Sequence, residues 1–279
     1  MSIPKKVLVV GGTSGIGHGI ALVLASQGHS VTIAGRNESA GRKILAELSS
    51  RSPDQTVEHS FAQVDGFSLS SVKSLALRTK EVDWLVLTLG MATIQGFTPT
   101  EDGHDQKLQL HVYSRFLLAS LLAPTLSRSS DGRCLSVLSA GVHSSYSGHS
   151  TDPSLKASYS VPNAANAAGM YNDIYLEKLA SIHPGVAFSH AAPGFVNTNW
   201  GTEMPLVLRA FIRPLQAAFG ASKEKCGAAM VEGMIKAEKG KLNLIDQKGG
   251  TGKAKTCKGH EEGKEGIWKH LSEAIKPFV

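Results

Sequence analysis

The chain of 279 residues is poor in several features, and each shortage narrows what it can be. No apolar run approaches the roughly 20 residues a membrane-spanning helix needs, so no integral membrane segment is expected. No basic start leads into an apolar core, so no secretory signal is expected either. Only three cysteines occur, Cys134, Cys226 and Cys257. They lie far apart and lack metal-ligand spacing, so no metal site is expected and a reduced, cytoplasmic setting is the simplest reading. No internal repeat or low-complexity linker divides the chain, which points to a single domain over 1–279.

Acidic residues are outnumbered, with 29 Lys and Arg against 23 Asp and Glu. Much of the excess falls between Lys236 and Lys258, where glycines interrupt the lysines and no aromatic residue interleaves with them. The segment 246–264 therefore reads as a basic surface loop and not as a nucleic-acid surface. Its GGTGKAKT resembles a phosphate loop only superficially, since Gln247 stands where that spacing needs its first glycine.

What is present centres on Val7 to Gly19, VLVVGGTSGIGHG. Four apolar residues run into a glycine-rich turn, and an apolar-periodic segment, Ile20 to Ala25, follows at once. The run reads as a strand buried on both faces. Gly11, Gly15 and Gly17 let the backbone turn tightly and approach a pyrophosphate at the N-terminus of the next helix. Strand, glycines and helix together form a dinucleotide-binding fingerprint, in which Thr13, Ser14 and Ile16 complete the turn.

Further strands are expected at Ser30–Ala34, Val57–Val64, Val82–Leu89, Arg133–Leu138 and Val186–Ala191. Helices are expected at Ser39–Ser49, through FSLSSVKSLALR, at Leu108–Leu126 and at Ala164–Ser181. A strand–helix order repeated six times implies an α/β fold with a doubly wound parallel sheet of the Rossmann type, its ligands at the carboxyl ends of the strands. After the second strand, where an NAD site places a carboxylate for the ribose 2′-hydroxyl, this sequence has Gly35 and then Arg36. A guanidinium suits a 2′-phosphate, which favours NADP over NAD.

On these motifs the chain resembles the short-chain dehydrogenase/reductase family over nearly its whole length. VGGTSGIG matches the family's nucleotide loop, and Asp65 matches the residue that contacts the adenine. Leu87-Thr88-Leu89-Gly90 stands in the place of the family's Asn-Asn-Ala-Gly, with only Gly90 kept. Ser139 matches the serine that polarises a substrate carbonyl. Pro193, Gly194, Val196 and Thr198 match the turn that holds the nicotinamide carboxamide. Ile267 to Glu273 is similar to the close of retinol-dehydrogenase-like members. Relatives carry a helical lid over the substrate at 201–220, here rich in apolar residues, and commonly pair as homodimers.

The departures are sharper than the matches. Ala165 stands at the position of the family's catalytic tyrosine and Gly169 at that of its lysine, and no shift of register restores the pair. His111 takes the place of the tetrad asparagine, within an HVYSR helix that resembles a divergent fungal branch tied to small-metabolite biosynthesis. With the usual proton donor gone, His111 and Tyr159 are the replacement candidates beside Ser139, with Tyr171, His143 and Tyr113 behind them. The resemblance implies an NADP-dependent oxidoreductase acting on a small apolar metabolite, a carbonyl or an iminium. A non-redox isomerase or cyclase using the cofactor-bound scaffold is the alternative, and a non-catalytic cofactor-binding protein is the third. In each, Ala165 and Gly169 are expected to leave space beside the nicotinamide.

Overall fold

The computed structural model describes residues 3–198 and 220–279. The expected lid, 201–220, lies outside the described residues except for its last one. Seven strands form: β1 Lys6–Val10, β2 Ser30–Gly35, β3 Ser60–Gln63, β4 Trp84–Leu87, β5 Arg133–Val137, β6 Ala187–Ala191 and β7 Leu242–Ile245. They make one parallel sheet in the order β3-β2-β1-β4-β5-β6-β7. This is the doubly wound arrangement the alternating pattern implied, extended by one strand. β7 escapes a sequence reading because LNLI is four residues long and follows directly on a lysine-rich stretch.

The apolar runs of the central strands are continuous because each strand feeds two cores. In β1, Val7 and Val9 enter one core and Leu8 and Val10 the other. In β4, Trp84 and Val86 divide from Leu85 and Leu87 in the same way. Side chains alternate across a strand, so a sheet covered by helices on both faces needs apolar residues at every position.

The helices are α1 Gly15–Ser26, α2 Glu38–Arg51, α3 Leu69–Arg78, α4 Gln106–Leu108, α5 Ser114–Arg128, α6 Val161–Ile182, α7 Lys223–Lys236 and α8 His260–Ile275. Asn37, Ser68, Ser160 and Ser222 each cap the helix that follows by accepting from a backbone N–H. Between α4 and α5 the backbone widens into a π-helical turn, Gln109–Tyr113, with His111 at its centre. Such turns often mark functional positions. No helix among the described residues is long and apolar enough to cross a membrane.

α1 and α7 pack backbone to backbone. A Cβ on Gly19 would strike the Lys223 carbonyl, and one on Gly227 would lie 2.7 Å from the Gly19 carbonyl oxygen. Gly227→Ala is expected to cost about 1–3 kcal/mol through overpacking and to lower Tm by several degrees in a thermal melt. Gly266→Ala, on exposed α8 with open space around it, is expected to stabilise by about 0.5–1 kcal/mol. Equal melting points for the two variants would refute the close α1–α7 approach.

Candidate active site

The carboxyl ends of β1, β4, β5 and β6 open onto a cavity of about 1090 Å³. Its first wall is the turn after β1. Gly11 and Gly15 adopt φ of +88° and +55°, a region that disfavours side chains. A Cβ on Gly11 would sit 2.7 Å from both Thr88 Oγ1 and Leu89 N, so the turn and the end of β4 touch directly. Thr88 Oγ1 donates to the Val10 carbonyl at 2.9 Å. A threonine hydroxyl thus ties the end of β4 to the end of β1.

Gly11, Thr13, Ser14, Gly15, Ile16 and Gly17 all line the cavity. Ser14 begins α1 without a side-chain cap, and the first turn of α1 carries no acidic residue. The positive end of that helix is left for an anion. A Cβ at Gly11 or Gly17 would strike Thr88 and its neighbours, so glycine at both positions is what lets the turn pack against the end of β4 and keep this shape.

At the end of β2, Arg36 lines the cavity and lies over the Phe67 ring at 5.0 Å. Val64 and Gly66 line the same end. Asp65 between them is exposed, and its carboxylate accepts from Phe67 N at 3.0 Å, holding the loop it starts. The cavity wall at this point is therefore built by the neighbours of Asp65.

Farther along, Gly90 and His111 meet closely, since a Cβ on Gly90 would lie 2.8 Å from His111 Nε2. His111 Nε2 accepts from Met91 N at 3.2 Å, which makes Nδ1 the protonated nitrogen. Burial, reinforced by the charges of Arg115 and Lys107, pushes the pKa of His111 down to about 3. It is therefore a neutral hydrogen-bond donor at neutral pH, and not the near-neutral proton carrier that its residue type suggests.

Arg115, one turn beyond His111, also lines the cavity. Its Nε and Nη2 donate to the Leu89 carbonyl at 3.2 and 2.6 Å. Nη1 donates to Ser136 Oγ at 2.8 Å and to the Val137 carbonyl at 2.9 Å. No carboxylate pairs with this buried guanidinium among the described residues. Burial lowers its pKa to about 10, so it stays charged at neutral pH. Nothing in the sequence singled it out beyond its place in HVYSR.

Ser139 follows β5, yet its hydroxyl is buried and unpartnered among the described residues, while Leu138 and Ala140 line the cavity on either side. The space expected at Gly169 is filled: a Cβ there would overlap the imidazole of His143. Ala165 is exposed on the first turns of α6. The gap expected beside the nicotinamide is thus closed at one of its two positions, because the 141–146 loop folds a histidine into it.

Tyr159 lies outside the cavity lining, edge-on to Phe97, with the Lys107 ammonium 5.1 Å above its ring. Burial raises its pKa well above the usual phenol range. Tyr171 donates to the Pro153 carbonyl, and Tyr113 bonds His270.

Pro193, Gly194, Val196 and Thr198 line the far end of the cavity. Gly194 has φ +70° and packs against Gln247. Gln247, Asp246, Lys253 and Ala254 complete this wall, so the lysine-rich segment 246–264 contributes to the cavity as well as to the surface. Among the described residues one group, Glu177, His260 and Glu261, has metal-ligand proximity. Lys264 Nζ already pairs with both carboxylates, at 3.0 and 2.8 Å.

The short chain dehydrogenase family profile matches residues 5–205. An oxidoreductase of Emericella nidulans is 32% identical over 233 residues, 78% of this chain and 69% of its own length. An oxidoreductase of Emericella variicolor is 31% identical over 68% of this chain and 57% of its own. The chain thus spans a little over half to two thirds of these relatives. Among solved structures, a short-chain dehydrogenase from Sphingobium yanoikuyae in complex with NADPH superposes with a TM-score of 0.61 at 20% identity, covering 87% of each chain. An alcohol dehydrogenase from Thermococcus sibiricus, complexed with 5-hydroxy-NADP, gives 0.62 at 17% identity over 87% of this chain and 96% of its own. The chain belongs to the short-chain dehydrogenase/reductase family.

The depressed pKa of His111 sets a pH dependence. Unfolded, the ring binds a proton near pH 6.5; folded, it does so only near 3. Its stability contribution is present above pH 6.5 and is lost as pH falls toward 3. Melting curves are expected to shift down steadily between pH 6.5 and 4, and His111→Asn is expected to flatten part of that loss. An unchanged slope in the variant would contradict a neutral His111.

Proposed function

We propose that this protein is an NADP-dependent oxidoreductase of the short-chain type that reduces the carbonyl group of a small, largely apolar metabolite. The observation that carries the reading is a dinucleotide cradle whose ribose end offers Arg36 and no carboxylate among the cavity-lining residues of that end. Glycines at 11, 15 and 17 fit the pyrophosphate, and a planar guanidinium fits a 2′-phosphate in two-pronged fashion. The roles of Pro193, Gly194, Val196 and Thr198 toward the nicotinamide belong to this same reading. Three free cysteines fit a reducing, cytoplasmic setting.

The cofactor, when bound, supplies a hydride. This chain's residues would hold the oxygen that receives the electron pair of the broken C=O π bond. Arg115 keeps one Nη2–H without an acceptor, and His111 keeps its Nδ1–H, both at the cavity lining. Two fixed donors, one of them cationic, stabilise a developing alkoxide where neither tyrosine nor lysine is present. Water supplies the proton that completes the alcohol. The fixed charge of Arg115 works against a cationic iminium, which favours a neutral carbonyl as the electrophile. With the Ser139 hydroxyl shut in, this reading gives Ser139 no direct contact with the reacting oxygen.

A second reading, a non-redox isomerase or cyclase on the same cofactor-bound scaffold, draws support from the same buried hydroxyl and from Tyr159 lying outside the cavity lining.

Calorimetric titration is expected to show NADPH binding tighter than NADH. Arg36→Ala is expected to weaken NADPH about tenfold, the loss of roughly 1.4 kcal/mol, and to leave NADH unchanged. Equal weakening of both would remove the assignment of Arg36. In turnover with a panel of carbonyl compounds, NADPH absorbance is expected to fall as alcohol forms. Product formed at constant absorbance would replace the redox reading with the second.

A further inference from the structure

The end of β5 raises a problem of backbone hydrogen bonding. Leu138 N still donates to the Ala191 carbonyl, but Ser139, the next residue, leaves the ladder toward the cavity. Its N–H and C=O are half-buried, where unpaired backbone groups are costly. Two imidazoles meet them. Ser139 N donates to His190 Nε2 at 3.0 Å, and His143 Nδ1 donates to the Ser139 carbonyl at 2.8 Å. One carboxylate stands behind both rings. His190 Nδ1 donates to Asp173 Oδ1 at 2.6 Å, and His143 Nε2 faces Asp173 Oδ2 at 3.3 Å. Asp173 and His190 are fully buried, and the His143 side chain is 2% exposed.

The partners fix the protonation states. His190 donates through one nitrogen and accepts through the other, so it is neutral. Both nitrogens of His143 face acceptors, the Ser139 carbonyl and the Asp173 carboxylate. The Nε2–Oδ2 contact is an ion-pair distance and not a hydrogen bond, so the charge on His143 rests on the buried carboxylate beside its ring and on the Nδ1 donation to the carbonyl. We propose that His143, Asp173 and His190 form a charge-locked clamp on the Ser139 backbone that positions the cavity wall from Leu138 to Val142. None of the three lines the cavity, so they are positioning residues and not catalytic ones.

The clamp takes over the place of the missing lysine. The His143 ring fills the space that a side chain at position 169 would need, so glycine there is what admits the ring. A fixed positive charge returns to the region, turned inward onto a carboxylate. The rest of the loop is tied down nearby: Ser144 N donates to Asn166 Oδ1 at 3.0 Å, and Ser145 Oγ donates to the Lys258 carbonyl.

The electrostatics agree with the geometry. Burial opposes the charge of His143, but Asp173 and the Ser139 carbonyl outweigh it, and the net shift is upward. Burial likewise raises Asp173, and the two histidines overcome it to hold the carboxyl at about 2. His190 is lowered, mainly by burial. The groups facing this cluster are Asp173 and Tyr175 from α6, His190 from β6, Arg115 from α5 and Cys257 from the loop before α8. Asp173 is the only carboxylate among them. A raised folded pKa means the clamp is complete below the ordinary imidazole value of about 6.5 and is lost as pH rises through the folded value.

The test has a ligand-free arm and a binding arm. A nitrogen-15 NMR pH titration of the histidine rings is expected to show His143 keeping both nitrogens protonated to a higher pH than an ordinary imidazole, and His190 as the neutral Nδ1–H tautomer. A His143 that loses its proton at or below the ordinary imidazole pH would overturn the clamp, whatever the protein binds. In the second arm NADPH affinity is followed from pH 7 to 9.5. Wild type is expected to weaken about tenfold as the charged contact is lost, a change of roughly 1.4 kcal/mol. His143→Gln is expected to be weak at pH 7 and flat across the range. Parallel profiles for the two proteins would also overturn the proposal, since a merely structural histidine would shift affinity without changing its pH dependence. This arm rests on the NADP reading above. A wild type that fails to bind NADPH at any pH would sink that reading, and the NMR arm alone would then decide the clamp.

Discussion

The guanidinium of Arg115 is the tie on which the open edge of the sheet depends. It reaches from α5 to the carbonyl of Leu89, just past the end of β4, and to that of Val137, the last residue of β5, beside the point where strand order reverses between β1 and β4. Ser136 Oγ accepts from it and donates onward to Asn172 Oδ1 at 2.7 Å; Tyr175 donates to the same oxygen. Asn172 Nδ2 returns to the His111 carbonyl at 2.8 Å, closing a ring of contacts among α5, α6 and β5. A buried charge without a counter-ion is costly unless its hydrogen bonds are met, and here two carbonyls at the strand ends and the Ser136 hydroxyl meet all but one of its N–H groups. The same residue therefore fixes the backbone that forms the cavity floor and leaves a positive charge beside it.

Around that tie, the site is a family cavity with a rebuilt interior. The nucleotide turn, the contact of Gly11 with Thr88 and the turn at Gly194 are in place. On α6, Ala165 is exposed and Gly169 is covered by His143. The absence of a side chain at Gly169 leaves no void, because protein interiors are close-packed. The 141–146 loop moves into the space and brings a charged ring to a buried carboxylate.

Much of this was legible in the chain and some of it was not. β1 and β4 were readable because strands covered on both faces must be apolar throughout, and the turn at Gly11 was readable because only glycine permits its φ. β7 was hidden by its length and its lysine-rich approach. Asp173 and His190 lie 17 residues apart, and nothing in that spacing says that they bond. His111 was found by position, but its protonation state depends on Met91 N and on burial, which no residue type reveals.

The sequence by itself determined the layered α/β fold, the glycine turn after β1 and the absence of any tyrosine before Pro193 with a lysine four residues on. Each follows from local rules: alternation across strands, glycine's freedom at positive φ, and the residue types at fixed helical spacing. The tertiary structure alone decided what fills the space beside Gly169, which hydroxyl is shut away, and which cation faces the cavity. Those outcomes depend on contacts between residues far apart in the chain, Ser139 with His190 and Arg115 with Leu89 among them, and such contacts exist only once the sheet has closed.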